Sequence, residues 1–301
     1  MSRTAVVVNL KGGTAMGMSR ENVSRVVRER IGERVNLVYA NGDDLPEVMT
    51  EAFEDADYDR IIVAGGDGTA SLAGQLAVKT DKPFGIVPLG TMNLFARTIG
   101  MPLDVEEALS ALADPEIRGV DCGEANGVVF VNHVSLGFHP HLVRMRDAIP
   151  RGSRLKRMWN GVRIYARLVS NHRRLRLDLT GDFAPFGTKA GLAVVSVNAI
   201  KEGTAQIPHP DGQTDGRLGL YISTHKSAWD LNKVVWRLLN GTLRESEHIS
   251  FRSTREVSIH SDSAMHISID GEVSISPEPI HCRILPGRLK VLVPRMSAEA
   301  D

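Results

Sequence analysis

The residues best suited to chemistry lie in one short run, IIVAGGDGT at residues 61–69. Its leading apolar residues predict a buried parallel strand, and the apolar residues at 72, 73, 76 and 77 follow at helical spacing. In a turn between a strand and a helix, glycines let the backbone approach a ligand, and the helix start offers N–H groups to an anion. A phosphate group fits this description. Because Asp67 would repel a bare phosphate, it predicts a bridging Mg²⁺ or a proton acceptor beside a transferred group.

A second turn, PLGTMNLFAR at residues 88–97, follows a second apolar strand at residues 84–87. Taken alone, the first turn is also compatible with an ordinary strand–helix connection whose glycines only make the bend. The two turns together closely resemble the diacylglycerol kinase catalytic-domain family of lipid kinases, which has sphingosine and ceramide kinases as relatives. The resemblance implies a kinase that uses ATP and Mg²⁺.

The resemblance also implies which residues line the nucleotide site. Asn9 ends a first apolar strand, at a place where relatives commonly carry Asn-Pro-x-x-Gly and this chain has Leu10 instead of proline. From loop chemistry alone, Asn9 could instead simply cap the turn. The implied nucleotide-binding residues are Asn9, Lys11, Gly12, Gly65, Gly66, Asp67, Gly68, Thr69, Thr91 and Asn93.

Two Asp-Gly pairs in the second half of the chain match family motifs, although on sequence alone each is better explained as a simple turn. The run DGE at residues 270–272 matches a motif whose glutamate is usually the general base, so Glu272 is the first candidate for that role and Asp67 the second. Asp215 matches an aspartate that helps to bind a structural Mg²⁺, and Asp67 is the other implied metal ligand. Asp121 and His141 are the residues implied near the acceptor lipid.

Because the sequence departs from the family pattern at some positions, it does not identify which lipid accepts the phosphoryl group. Diacylglycerol kinases usually carry an acid where this chain has Leu94, and many relatives carry a glutamate where it has Leu72. Ceramide or a sphingoid base is therefore an alternative substrate. An NAD kinase is a further alternative, but the sequence lacks the downstream Asn-Glu and Thr-Gly-Ser-Thr-Ala patterns of those enzymes. A non-catalytic lipid- or nucleotide-binding protein is another, and the retained Asp67 and Glu272 argue against it.

The elements that position these residues form two groups. Alternating strand and helix patterns predict a doubly wound parallel α/β domain over residues 1–120, the ATP-binding domain. Short β-type runs separated by turns then predict an antiparallel β-sandwich over residues 121–287, the acceptor-lipid domain. The resemblance implies that a last strand, residues 288–294, returns to the first domain and that the nucleotide lies in the cleft between the domains.

A basic segment interrupts the second domain. Residues 144–176 contain eleven Lys or Arg residues and one acid. Apolar residues at intervals of three and four predict an amphipathic helix over residues 153–171. We expect this helix either to pack on the sandwich or to lie on an anionic membrane surface. In the second case the membrane contacts are Arg154, Lys156, Arg157, Arg163 and Arg167.

Composition sets broad limits on function. The 301 residues, 42% hydrophobic and 24% charged, suffice for two cores, and a formal net charge of zero predicts no general attraction to nucleic acid. Two cysteines are too few for a disulfide scaffold and suit a reducing compartment. Because no stretch approaches the length of a spanning helix, we expect a cytoplasmic protein that associates peripherally with a membrane that holds its lipid substrate. A homodimer remains open.

Overall fold

A computed structural model of the protein describes residues 3–10, 20–137, 174–199, 215–224, 249–262, 265–276 and 278–295. These residues divide into two compact units. The first unit holds residues 3–10, 20–122, 215 and 285–295, and the second holds 123–137, 174–199, 216–224, 249–262, 265–276 and 278–284. Among the described residues, the chain enters the second unit after Cys122 and again after Asp215, and it returns to the first unit after Ile284.

The first unit is a parallel sheet with helices between its strands. Its strands pair in the order β2–β1–β3–β4–β16, of which β1, β2, β3 and β4 follow one another along the chain. The elements are β1 (Thr4–Asn9), α1 (Arg20–Ile31), β2 (Val35–Ala40), α2 (Leu45–Glu54), β3 (Arg60–Gly65), α3 (Asp67–Thr80), β4 (Phe84–Pro88), α4 (Leu94–Thr98), α5 (Val105–Ala113) and the end of β16 (Ile280–Val293).

The carboxyl ends of the central strands define one edge of this sheet. Val8 pairs with Ala64, and Gly65 pairs with Pro88, so β1, β3 and β4 end at nearly the same level. These strands are buried almost along their whole length, as expected for a parallel sheet covered on both faces. Ligands of doubly wound sheets bind at this edge.

The last strand of the chain is tied to the end of α3. Val291 pairs in parallel with Phe84, which places the end of β16 beside β4. Asp81 caps α3 in the left-handed conformation, with φ at 60°. Its carboxylate accepts hydrogen bonds from Arg288 Nη1 at 3.0 Å and Lys290 Nζ at 2.6 Å, and both donors lie on β16. Charged side chains therefore join a helix end to a strand more than two hundred residues later.

The second unit contains antiparallel strands that enclose one apolar core. One sheet has the order β12–β11–β10–β7–β14–β15, and the other strands include the series β13–β8–β9, with β16 beside β13 and the hairpin of β5 and β6. The elements are the end of β5 (Glu116–Ala125), β6 (Val128–Phe130), β7 (His133–Gly137), β8 (Leu175–Gly181), β9 (Phe183–Ala190), β10 (Leu192–Val197), β11 (Leu218–Ser223), β12 (Ile249–Thr254), β13 (Glu256–Ser261), β14 (Met265–Ile269) and β15 (Glu272–Ser276).

Alternation decides which side chains enter this core. Val134 and Leu136 of β7 are fully buried in the core, together with Ala193 and Val195 of β10. Strands of the other series contribute further apolar residues, such as Leu177 and Ile259. The unit therefore has its own core, as expected for a sandwich of antiparallel strands.

The predicted fold class, a parallel α/β domain followed by an antiparallel β domain, is confirmed. The helix α5 begins at Val105, where the Asp104 side chain caps the amides of Glu106 and Glu107. The predicted helix over residues 153–171 and its five cationic membrane contacts lie outside the described residues. Within the described ranges, no helix is long and apolar enough to span a bilayer.

Candidate active site

The first turn of α3 begins at a glycine and leads into the helix that follows β3. Gly66 occupies the cap position in an extended conformation and, as a glycine, offers no side-chain acceptor to the helix amides. The first helical bond runs from the Ala70 amide to the Gly66 carbonyl, so the amides of Gly68 and Thr69 precede the bonds of the helix itself. Such amides, together with the positive end of the helix dipole, attract phosphate groups.

The glycines around this turn serve two different purposes. A Cβ on Gly65 would lie 2.3 Å from Thr69 Oγ1, and a Cβ on Gly90 would lie 2.7 Å from Gly66 Cα. These glycines are therefore required by packing within the unit. A Cβ on Gly68 would meet no atom of the described residues within 4 Å. Gly68 is thus the one of these positions that leaves space for a ligand.

The second turn is held by its own asparagine. Asn93 is buried in the left-handed conformation, with φ at 49°. Its carboxamide donates to the Gly90 carbonyl at 2.8 Å and accepts from the Gly90 amide at 2.9 Å. Thr91, between these two residues, is exposed. Asn93 therefore shapes the turn, while Thr91 is available to a ligand.

Asp67 links the two turns. Its Oδ1 atom accepts a hydrogen bond from the Phe95 amide at 3.2 Å, in the first turn of α4. Asn9 Nδ2 donates to Thr69 Oγ1 at 3.0 Å, which connects the end of β1 to the same helix start. The structure thus brings Asn9, Thr69 and Asp67 together with both glycine turns. Two other predicted nucleotide-binding residues, Lys11 and Gly12, lie outside the described residues.

The predicted general base belongs to the second unit. Asp270 and Gly271 have φ angles of 48° and 95° and form the tight turn between β14 and β15, with Ile269 paired to Glu272. Glu272 is the first residue of β15 and is exposed. The turn interpretation of this motif is therefore correct, and it places a solvent-accessible carboxylate at a defined position of the sheet.

The remaining predicted residues differ in their surroundings. Asp121 is buried, and its Oδ1 atom accepts a hydrogen bond from the Gly287 amide at 2.8 Å, which gives it a structural contact within the first unit. Asp215 is exposed, and within the described ranges no group of three or more His, Cys, Asp or Glu residues could hold a metal ion. His141 lies outside those ranges. The acceptor and metal roles of these residues stay predictions.

Sequence reasoning missed the contacts of Asp270. Its buried carboxylate accepts hydrogen bonds from the amides of Val131, Asn132 and His133, at 2.8, 2.9 and 2.9 Å. Burial also lowers the pKa of His133 from its ordinary value of 6.5, which favours a neutral imidazole there. The Asp-Gly pair signalled only a turn, because nothing in the local sequence reveals a partner more than 130 residues away.

Comparison with known proteins identifies the family. Residues 3–125 match the diacylglycerol kinase catalytic domain, and residues 133–293 match the YegS C-terminal NAD kinase beta sandwich-like domain. Over 265 residues the chain is 31% identical to a Pseudomonas syringae pv. syringae protein named a probable lipid kinase YegS-like, covering 86% of this chain and 83% of the relative. The chain therefore belongs to the diacylglycerol kinase-type family of lipid kinases, and the resemblance drawn from the two glycine turns is confirmed.

Two less similar proteins are also named as diacylglycerol kinases. The diacylglycerol kinase of Bacillus subtilis is 27% identical over 222 residues, which cover 72% of each chain. The crystal structure of a diacylglycerol kinase from Bacillus anthracis shares the fold, with a TM-score of 0.71 and 18% identity over 97% of both chains.

Proposed function

We propose that the protein is an ATP-dependent lipid kinase that transfers the γ-phosphoryl group of ATP to a hydroxyl group of a membrane lipid of the diacylglycerol type. The observation that carries this proposal is the first turn of α3, where a glycine cap precedes the open position at Gly68. Family membership adds the expectation of phosphoryl transfer, and the name of the Bacillus subtilis relative favours diacylglycerol as the acceptor.

The reaction assigns one task to each part. The amides of Gly68 and Thr69 bind the phosphates of ATP. The lipid hydroxyl gives its proton to Glu272 as its oxygen bonds to the γ-phosphorus, and the bond from that phosphorus to the β,γ-bridging oxygen breaks. ADP leaves with the electron pair of that bond. Most of the rate enhancement then comes from positioning and from stabilising charge on the phosphoryl oxygens.

The residues present fit a magnesium ion that is held mainly by the nucleotide. Mg²⁺ binds to proteins through one or two carboxylates and substrate phosphates, and Asp67 supplies one carboxylate beside the anion site. When bound, the ion would neutralise charge on the phosphates. A second, structural ion at Asp215 is proposed from the family motif alone.

Ceramide or a sphingoid base is the second candidate acceptor. Leu94 is the first residue of α4 and is half-buried, at the position where diacylglycerol kinases usually carry an acid. An apolar side chain there cannot hydrogen-bond a polar headgroup. We also propose that Arg154, Lys156, Arg157, Arg163 and Arg167 bind anionic lipid, which would bring the protein to its substrate.

The test is a panel of acceptors in mixed micelles with labelled ATP and Mg²⁺, read by mass spectrometry of the lipids. The panel contains diacylglycerol, ceramide, sphingosine and, as a soluble acceptor, NAD, each in neutral and in anionic micelles. We expect phosphorylated diacylglycerol and faster turnover in anionic micelles. Phosphorylation of ceramide or sphingosine alone would support the second candidate. Transfer only to NAD, or ATP-independent lipid binding without transfer, would overturn the proposal.

A further inference from the structure

The carboxylate of Asp270 is occupied by backbone amides. Asp270 Oδ1 accepts from the amides of Asn132 and His133, and Oδ2 accepts from the amide of Val131. The Asp270 amide in turn donates to the His133 carbonyl at 2.9 Å. One buried residue therefore holds the whole connection between β6 and β7 through four hydrogen bonds.

These bonds also fix the turn that carries Glu272. Asp270 and Gly271 are the two central residues of the tight turn, and Glu272 follows directly as the first residue of β15. The Asn132 carbonyl accepts from the Val197 amide at 2.9 Å, so the held segment is also joined to the end of β10. The turn before Glu272 is thus hydrogen-bonded through Asp270 to the start of β7, and the held segment is bonded to the end of β10 in the same sheet.

Proton acceptance is a poor role for Asp270 in this arrangement. A proton on either oxygen would place an O–H donor against a backbone N–H donor, and that N–H would lose its acceptor in a buried site. Glu272 has no such constraint on its exposed carboxylate. The two acids of the DGE motif therefore have different tasks.

We propose that Asp270 is a positioning residue, which orders the Val131–His133 segment and sets the place of Glu272, while Glu272 alone accepts the proton. The inference rests on the proposed kinase function and adds a role to the same motif. It predicts that the effect of Asp270 on turnover passes through Glu272.

The substitutions Asp270→Asn and Asp270→Ala separate positioning from proton transfer. Asparagine keeps the oxygen that accepts the amides of Asn132 and His133 and loses only the bond to Val131. Alanine loses all three side-chain hydrogen bonds. We expect kcat to fall by about tenfold for asparagine and by at least about a hundredfold for alanine, with KM for ATP within about twofold of wild type. Equal, complete loss in both variants would contradict the inference, because it is the result expected of a proton acceptor.

A double-mutant cycle provides the decisive comparison. In a Glu272→Gln background we expect Asp270→Asn to change the residual kcat by less than about twofold, since the group that it positions is already gone. A further tenfold loss in that background would show that Asp270 acts independently of Glu272. Asp262→Asn, an exposed change in the same unit, is the matched control and should leave kcat unchanged.

Amide hydrogen exchange tests the structural part without any activity. We expect faster exchange at Val131, Asn132, His133 and Glu272 in Asp270→Ala than in wild type or Asp262→Asn, with the amides of β11 unchanged. Unchanged exchange at those four amides would overturn the inference even in an active enzyme. If wild type phosphorylates no lipid while the exchange pattern is as expected, the proposed function fails and the ordering role stands.

Discussion

Asp67 shows how one side chain serves both structure and chemistry. Its Oδ1 atom accepts the Phe95 amide and so connects the two glycine turns, while its position in the first turn of α3 places the carboxylate beside the proposed anion site. The hydrogen bond to Phe95 therefore orients the carboxylate that is proposed to hold the metal ion.

Glu272 is the residue on which the proposed proton transfer depends. Glu272→Gln keeps the shape of the side chain and removes its ability to accept a proton, so we expect kcat to fall by about 10² to 10⁴. ATP affinity, measured by calorimetry, should stay within about twofold of wild type. Near wild-type turnover in the Gln variant would move the proton acceptor to Asp67, and loss of ATP binding would make Glu272 a nucleotide or metal ligand.

Two glycine substitutions test which glycine faces the ligand. Gly68→Ala adds a methyl group in open space within a helix, so the free energy of unfolding should be unchanged or raised by up to about 1 kcal/mol. If phosphate lies against the first turn, the same methyl group should weaken ATP binding by at least about tenfold. Thermal unfolding and ATP titration measure the two effects.

Gly90→Ala is the matched variant at a packed position. Its Cβ would lie 2.7 Å from both Gly66 Cα and Asn93 Oδ1, so we expect unfolding to become easier by about 1 to 3 kcal/mol. A Gly68→Ala protein that binds ATP normally would remove Gly68 from the site.

At residue scale, sequence reasoning located the glycine turns but could not assign each glycine. The partners of Gly65 and Gly90 come from packing of one turn against another and against Thr69, which no local pattern encodes. The contacts of Asp270 with Val131, Asn132 and His133 could not be predicted either, because they also depend on packing between distant segments.

At the scale of elements, the clearest long-range tie is the one between α3 and β16. Lys290 and Arg288 lower the pKa of Asp81 from its ordinary value of 3.8, chiefly through the hydrogen bond with Lys290. Because the pKa is lower in the folded state, the stabilisation is present above the unfolded value and is lost as pH falls through the folded value.

Asp81→Asn should therefore destabilise the protein at neutral pH and lose its effect under acid conditions. We expect the melting temperature of the variant to lie below that of wild type at about pH 7, and the difference to shrink below about pH 4. Because the pair is exposed, the difference should also shrink in about 1 M salt. A difference that is constant from neutral to acid pH would show that the charge is not responsible.

Strands and helices whose apolar residues follow one regular pattern could be predicted from the sequence. Elements in which that pattern is interrupted could not. The buried runs of β3 and β4 and the helix α3 match their predicted positions because each has a continuous or regular apolar pattern. β9 contains Pro185 and Gly187, and β15 carries exposed Ile275, so neither has the alternation of a half-buried strand. Their strand geometry comes from pairing with β8 and β14.

At the scale of the whole molecule, the proposed chemistry is divided between two units with separate cores. The proposed nucleotide-binding residues of the glycine turns belong to the first unit, and the proposed base Glu272 belongs to the second. The chain has no net charge, so the proposed attraction to anionic lipid has to come from a local basic segment. Family membership supports phosphoryl transfer, and the proposed roles of both turns are consistent with it.

The most direct test of the central claim is transfer of label from γ-labelled ATP to diacylglycerol in mixed micelles, compared between wild type, Asp67→Asn and Asp114→Asn. Asparagine at 67 keeps the oxygen that accepts the Phe95 amide and loses the charge, so the fold should survive while turnover falls by at least about a hundredfold. Asp114 forms an exposed ion pair with Arg295, and its variant should match wild type. Labelled lipid from wild type and the control alone is the predicted result. Lipid labelling by Asp67→Asn within about tenfold of wild type would contradict the account.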